Sequence, residues 1–251
     1  MRSEYLLFNL FVFIGPLLNS FDHKVRFFKQ WPKAFIAVFL SLIPFIIWDI
    51  AVTGRHWYFN ERFILGPRLL GLPVEEWSFF VTVPFACLFI WEIIIKFLPP
   101  KKLTLGLGLP AGISSFAGII LFLKGLEYTG LVLIAAATVY FLNALIKTQI
   151  WEDSRIWVII GAVVILTLIF NTYLTARPIV LYNPQYMLGM RIITIPVEDF
   201  IFGLSHILLT VTIYERLKGN FYEKGRSDRR RSGRTGRRNL AGTSESAGHS
   251  V

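Results

Sequence analysis

Long uninterrupted runs of apolar residues, with little alternation of apolar and polar positions, dominate most of the chain. Seven runs are candidates for membrane-crossing helices, at 5–21, 34–52, 75–97, 103–123, 130–147, 156–174 and 192–214. Most approach the roughly 20 residues that span about 30 Å of hydrocarbon, and the first and fifth runs are short. A spanning β-strand would alternate over about ten positions, which this sequence does not do. The pattern predicts an all-α polytopic membrane protein with about seven transmembrane helices.

Composition supports this class. Of 251 residues, 54% are hydrophobic and 17% are charged, whereas soluble domains average about 25% charged residues. The mean hydropathy is +0.56. The single cysteine, Cys87, excludes a disulfide framework within the chain. The histidines show no metal-ligand spacing and no GxGxxG motif follows a predicted strand, so the sequence predicts neither a metal site nor a dinucleotide cofactor.

The basic residues predict an orientation. Lysine and arginine are concentrated in the connections 22–33, 98–102 and 148–155 and in the C-terminal tail, 217–251. By the positive-inside rule, the C-terminus is cytoplasmic and the protein lies in the cell membrane. The tail is rich in Arg, Gly and Ser, and we expect it to be disordered and to contact anionic lipid. Because the tail supplies most of the net charge of +10, that charge does not indicate a nucleic-acid partner.

The chain also carries an internal duplication. Two segments match without a gap at an offset of 123 residues, and each contains a Pro-x-Glu-acid motif, at 73–76 and 196–199. The same offset pairs Glu4-Tyr5 with Glu127-Tyr128, Asn60 with Asn183, Leu65-Gly66 with Leu188-Gly189, Arg68 with Arg191, Phe79 with Phe202 and Glu92 with Glu215. This register predicts a first repeat at 1–98, a connecting helix at 99–126 and a second repeat at 127–216. Since the repeats begin four spans apart, they run parallel, related by an axis along the membrane normal.

The motif acids Glu75, Glu76, Glu198 and Asp199 are the candidate catalytic residues. Each pair opens an apolar span, where proline suits the first helical turn and acids complement the helix dipole. That structural explanation is sufficient for a single copy. Two copies with doubled acids in register favour a functional site, because acids inside a membrane are costly.

With PVEE at 73–76 and PVED at 196–199, the chain resembles the lycopene cyclase domain family, the integral-membrane heterodimeric type whose halves also occur fused. The neighbouring sequences WYFN at 57–60 and LYNP at 181–184 are similar to the family pattern. The resemblance covers roughly residues 1–216. It implies a lycopene β-cyclase, an isomerase that converts the ends of lycopene or a related linear carotenoid into β-ionone rings. It also implies a substrate taken from the lipid bilayer, no cofactor, and other carotenoid enzymes as candidate partners.

The implied reaction needs a proton donor and a proton acceptor. Protonation of the terminal alkene makes a tertiary cation, a neighbouring double bond attacks it, and loss of a ring proton restores neutrality. Carboxyl groups fill both roles when their environments separate their pKa values. We expect Glu75 and Glu198 to be the principal acids, paired across the repeats, with Glu76 and Asp199 as partners or bases. Which acid donates is left open.

Residues near the motifs are candidates for substrate binding. Aromatic faces stabilise cations, although aromatic residues also form belts at the membrane interface. The paired asparagines could orient a carboxyl or cap a loop or helix end. The candidates are Trp57, Asn60, Trp77, Phe79, Asn183 and Phe202.

Two other functions stay open at this stage. One is a carotenoid-binding or assembly subunit without turnover of its own, which efficient ring formation by this chain would exclude. The other is a carotenoid end-group hydratase, which product mass separates from a cyclase because cyclisation leaves the mass unchanged. Whether one or both ends are cyclised is also open.

Overall fold

The computed structural model describes residues 2–219, so the tail predicted at 217–251 lies almost entirely outside the described residues. Within the described residues there are seven α-helices, one for each predicted span. They are α1 (Glu4–Asn19), α2 (Trp31–Val52), α3 (Val74–Phe97), α4 (Gly108–Leu123), α5 (Glu127–Ile146), α6 (Arg155–Ala176) and α7 (Val197–Lys218). The all-α membrane class predicted from the apolar runs is confirmed.

Five of the described helices are long and apolar enough to cross a membrane, while α1 and α4 are shorter. The prediction that the fifth span is short is wrong, because α5 has 20 residues. The fourth is short instead, since α4 begins only at Gly108. The segment before α4 is extended. The Leu103 N–H donates to the Glu152 carbonyl at 2.8 Å, and the backbones of Lys102 and Asp153 form an isolated antiparallel β-bridge.

Six short strands lie between the helices and recur at the same offset of 123 residues. They are β1 (Trp57–Phe59), β2 (Arg68–Leu69), β3 (Leu72–Pro73), β4 (Val180–Tyr182), β5 (Arg191–Ile192) and β6 (Ile195–Pro196). The β2–β3 hairpin leads directly into α3, and the β5–β6 hairpin leads directly into α7. The seventh span therefore begins at Val197 instead of 192. Strands of two residues are too short to show an alternating pattern, so the sequence did not predict them.

The pairing of β1 with β4 shows how the two repeats meet. These strands are repeat equivalents, and they pair antiparallel with Tyr58 opposite Leu181 at the centre. Tyr58 and Leu181 are themselves separated by 123 residues. Equivalent strands that cross at an equivalent pair are the arrangement that a pseudo-twofold axis produces.

The last turns of α3 and α7 are joined by a second symmetric contact. Trp91 Nε1 donates to Glu215 at 2.8 Å, and Tyr214 Oη donates to Glu92 at 2.7 Å. Trp91 is the repeat equivalent of Tyr214, as Glu92 is of Glu215. Glu92 and Glu215 therefore lie at the end of these helices opposite to the motifs, and each accepts a hydrogen bond from the other repeat.

Helix α4 packs against α5 through a close contact of two glycines. A Cβ atom added to Gly118 would lie 2.7 Å from the Gly130 carbonyl oxygen, and one added to Gly130 would lie 2.5 Å from the Gly118 carbonyl oxygen. Close backbone approach at small residues is typical of helix pairs in membranes. The connecting helix is thus joined to the start of the second repeat.

Candidate active site

Each acidic motif is placed by the same local structure. The hairpin ends at the motif proline, and the helix begins at the following valine, so both acids lie in the first helical turn. Acids at this position are stabilised by the positive end of the helix dipole. Successive helix residues point about 100° apart. The two acids of one motif therefore face different surroundings.

Glu75 and Glu198 face the loops that precede their helices. Glu75 accepts the backbone N–H of Leu65 at 2.6 Å, and Glu198 accepts that of Leu188 at 2.9 Å. Glu198 also accepts the Thr129 hydroxyl at 2.6 Å. Both glutamates are fully buried, and neither lines the main cavity. The two acids expected to form a dyad are instead in equivalent positions that hold a loop against a helix.

Glu76 and Asp199 face a cavity of about 330 Å³. Tyr5 Oη donates to Glu76 at 2.5 Å, and Tyr128 Oη donates to Asp199 at 2.6 Å. These contacts are repeat equivalents, since each tyrosine opens the first helix of its own repeat. The structure therefore brings the second acid of each motif, with one tyrosine each, to a shared space.

The cavity is elongated, with the acids at one end. Its lining on α3 runs from Glu76 to Ile90, which corresponds to about 20 Å along the helix axis. The other walls come mainly from α1, α6 and α7, and most of the lining is apolar and aromatic. Phe45 on α2 packs against two rings of α7 that also line the cavity, at 5.2 Å from Phe202 and 4.7 Å from His206. His206 is buried, and its Nε2 atom has no hydrogen-bond partner among residues 2–219.

A third carboxyl, Asp49 near the end of α2, belongs to the same site. Asp49 lines the cavity beside Glu76, and the two carboxyl groups interact electrostatically. Its Oδ1 atom also accepts Trp57 Nε1 at 2.7 Å and the Thr53 hydroxyl at 2.8 Å. The sequence analysis did not place Asp49 among the candidate catalytic residues. The available signal was an acid beside a tryptophan inside an otherwise apolar helix.

Asp199 is surrounded by hydrogen-bond donors. Besides Tyr128, it accepts the Tyr182 hydroxyl at 2.6 Å and the Asn171 amide at 3.5 Å. Desolvation and the nearby Asp199 carboxyl raise the pKa of Tyr182 well above its usual value, so Tyr182 stays a neutral donor. The sequence did not single out these donors. Tyr5 and Tyr128 could have been found because the duplication pairs them.

The predicted substrate-binding residues divide into two groups. Trp57, Phe79 and Phe202 line the cavity. Trp77 does not line it, and its Nε1 atom donates to the Leu69 carbonyl at 3.1 Å, against the hairpin. The structure therefore brings three of the four aromatic candidates to the acids.

Asn60 and Asn183 lie outside the cavity and connect the repeats. Asn60 Nδ2 donates to the Pro178 carbonyl and Asn183 Nδ2 donates to the Arg55 carbonyl, both at 3.1 Å. These are repeat-equivalent bonds, each reaching the loop of the other repeat. The asparagines position backbone and do not contact a motif acid in the described hydrogen bonds.

This fold and site define a polytopic helical membrane protein with buried carboxyls at one end of an apolar cavity. No group of three or more His, Cys, Asp or Glu side chains within residues 2–219 has an arrangement that could hold a metal ion. The family model for lycopene cyclase matches residues 2–94 and 126–217. The chain therefore belongs to the lycopene cyclase family and is a carotenoid cyclase. No curated protein and no solved structure matched the chain.

The matched segments coincide with the two repeats and omit most of the connecting segment. Each matched segment carries one motif, so the family match and the 123-residue duplication divide the chain in the same way.

Proposed function

We propose that the protein cyclises the end groups of lycopene to β-ionone rings without a redox step. The observation that carries this proposal is the placement of Asp49, Glu76 and Asp199 at one end of an apolar cavity. A neutral polyene matches the apolar walls, and acid–base chemistry is what carboxyls in such a setting provide. The reaction needs one proton delivered and one removed, which these carboxyls can supply without a further reagent.

We assign proton transfer to the acids that face the cavity. Glu76 and Asp199 line it, while Glu75 and Glu198 accept backbone N–H groups away from it. This reverses the expected order within each motif. Glu75 and Glu198 then act as positioning residues that fix the loops beside the first helical turns.

The aromatic residues around the acids would stabilise the cationic intermediates. Trp57, Phe79 and Phe202 line the cavity with Phe59 and Phe80. A cation over an aromatic face gains about 0.5–2 kcal/mol, most when the site excludes water. Stabilising the cation matters because a carboxylic acid is a weak acid towards an alkene.

The substrate would reach the site from the bilayer, between α1 and α6. Near the acids these helices are joined, because Phe8 packs 5.6 Å from Phe170 and Arg177 Nε contacts Glu4 at 2.8 Å. Further along α1, Phe11 lines the cavity and is 72% exposed. A side chain that contacts both the cavity and the exterior marks the opening. A hydrophobic polyene can enter there end first and place its terminal alkene beside the carboxyls.

Expression in a lycopene-accumulating bacterial host tests this function. We expect lycopene to be replaced by mono- or bicyclic isomers of unchanged mass, whose absorption shows β-rings. A product heavier by one water would identify a hydratase instead. Unchanged lycopene in cells that contain abundant folded protein would contradict the proposal.

A further inference from the structure

The two halves of the acid site differ at positions that the duplication makes equivalent. Asp49 in the first repeat corresponds to Thr172 in the second. Tyr182 in the second repeat corresponds to Phe59, which has no hydroxyl. The first half therefore has a carboxyl that the second half lacks, and the second half has a phenol hydroxyl that the first half lacks.

The contact between Asp49 and Glu76 requires a proton. Both carboxyls line the acid end of the cavity, and two neighbouring carboxyls removed from water disfavour double ionisation, so one of them keeps a proton. The remaining partners are all donors: Tyr5 to Glu76, and Trp57 and Thr53 to Asp49. The Asp49–Glu76 pair therefore holds one shared proton, and it holds that proton at the cavity wall.

Asp199 has the opposite environment. Its Oδ1 atom accepts a hydrogen bond from Tyr128, and its Oδ2 atom accepts from Tyr182 and Asn171. Hydrogen bonds donated to a carboxylate favour its charged form. With three donors and, among residues 2–219, no acidic side chain hydrogen-bonded to it, Asp199 is suited to be an ionised acceptor that also faces the cavity.

We propose that the two repeats have divided the acid–base roles, with the Asp49–Glu76 pair as the proton donor and Asp199 as the proton acceptor. The assignment rests on the proposed function. The pair protonates the terminal alkene and becomes doubly ionised. The neighbouring double bond supplies the electrons of the new ring bond. The resulting ring cation then loses a proton to Asp199. One proton has moved from the Asp49–Glu76 pair to Asp199. Proton exchange with water then restores the starting protonation state of the pair and of Asp199.

Deuterium exchange separates donor from acceptor. Membranes with Asp199→Asn, Glu76→Gln or Asp49→Asn would be incubated with lycopene in heavy water, and the recovered lycopene analysed by mass spectrometry. With Asp199→Asn, ring completion fails but protonation by the intact pair is reversible, so recovered lycopene gains deuterium. With Glu76→Gln or Asp49→Asn, we expect at least roughly ten-fold less label, since removing a general acid costs about 10²–10⁴-fold.

Controls keep a folding defect apart from a chemical one. Membrane abundance and thermal stability of every variant are measured, and Asp49→Glu restores a carboxyl and should recover part of the labelling. Glu92→Gln makes the same acid-to-amide change at the far end of α3 and should label the cyclic product as the wild type does.

The opposite pattern, with label after Glu76→Gln and none after Asp199→Asn, would overturn the assignment, as would the absence of exchange in folded Asp199→Asn. These results leave the proposed function intact when the wild type forms cyclic product. If the wild type forms none, the proposed function itself fails.

Discussion

Adjacent acids in each motif have different hydrogen-bond partners because they point about 100° apart on the helix. Glu75 and Glu198 accept backbone N–H groups of the preceding loops. Glu76 and Asp199 instead accept tyrosine hydroxyls at the cavity. Substituting one acid of a motif therefore tests a different property from substituting its neighbour.

Removing the Tyr182 hydroxyl should slow the reaction without unfolding the protein. The hydroxyl donates to Asp199 at 2.6 Å, and a hydrogen bond to a charged group contributes about 1.5–3 kcal/mol. We expect Tyr182→Phe to reduce turnover by about 10- to 100-fold, measured as cyclic product per unit of membrane protein. Tyr173→Phe is the matched control, because Tyr173 donates to Glu4 outside the cavity lining. Equal losses in the two variants would contradict the role given to Tyr182.

At the residue scale, the sequence predicted which segments lie near the cavity but not which way their side chains face. The duplication identified four acids, and three of four aromatic candidates line the cavity. Asp49 could not be assigned to the site with Glu76, because its approach to Glu76 depends on how α2 packs against α3. Nothing in the order of residues specifies that contact.

At the scale of elements, the α4–α5 pair depends on Gly118. An added side chain would clash with the Gly130 carbonyl oxygen at 2.7 Å and with Ile134 Cγ1 at 2.9 Å. The Gly130 carbonyl belongs to the backbone of α5 and has little room to adjust, so Gly118→Val should lower the thermal stability and abundance of the protein. Overpacking of this kind typically costs about 1–3 kcal/mol.

Gly112→Ala is the control on the same helix, because nothing lies within 4 Å of its added Cβ. It should leave stability unchanged or raise it by up to about 1 kcal/mol, since alanine favours helix more than glycine does. Equal destabilisation by the two substitutions would show that the close contact is not what holds α4.

The loop after α2 contains a histidine that should make the stability of the fold depend on pH. His56 lies in this loop, buried, with Nε2 at 3.0 Å from Glu127 and with Arg55 beside it. Burial lowers the pKa of His56 despite the opposing effect of Glu127. In the unfolded chain its pKa is about 6.5, so below that pH the unfolded state binds a proton that the folded state resists.

Stability should therefore fall as pH drops below about 6.5, by at most about 1.4 kcal/mol per pH unit from this residue. Thermal unfolding at pH 7.5 and 5.5 would measure this loss of stability. The His56→Asn variant should show a smaller difference between the two pH values than the wild type. A wild-type stability that rises on acidification, with His56→Asn flat, would show that the Glu127 contact outweighs burial.

For the whole molecule, the groups that we propose as catalytic are divided between the repeats. Asp49 and Glu76 come from the first repeat and Asp199 comes from the second. A chain cut after Pro100 should regain activity when both fragments are co-expressed. Across the cut, β1 pairs with β4, and Arg155 contacts the carbonyls of Ile95 and Leu98 at the end of α3. Either fragment alone should leave lycopene unchanged. Cyclic product from one fragment would contradict a site shared between repeats.

The repeat organisation was the most predictable level of the structure. The 123-residue offset predicted that α1, α2 and α3 recur as α5, α6 and α7. The antiparallel pairing of β1 with β4 was not predictable, because it joins three-residue strands that are distant in sequence. The cavity that holds Glu76 and Asp199 was not predictable either, since its lining comes from helices that are far apart in the sequence.

The central claim is that the cavity-facing acids of the two motifs, one from each repeat, carry out the cyclisation. The most direct test compares Glu75→Gln, Glu76→Gln, Glu198→Gln and Asp199→Asn in a lycopene-accumulating host, with cyclic product normalised to folded protein. We expect Glu76→Gln and Asp199→Asn to lower the activity per folded molecule by about 10²–10⁴-fold. Glu75→Gln and Glu198→Gln should keep most of that activity but lower the amount of folded protein. Full activity in Glu76→Gln or Asp199→Asn, or the larger loss in folded Glu75→Gln and Glu198→Gln, would contradict this account.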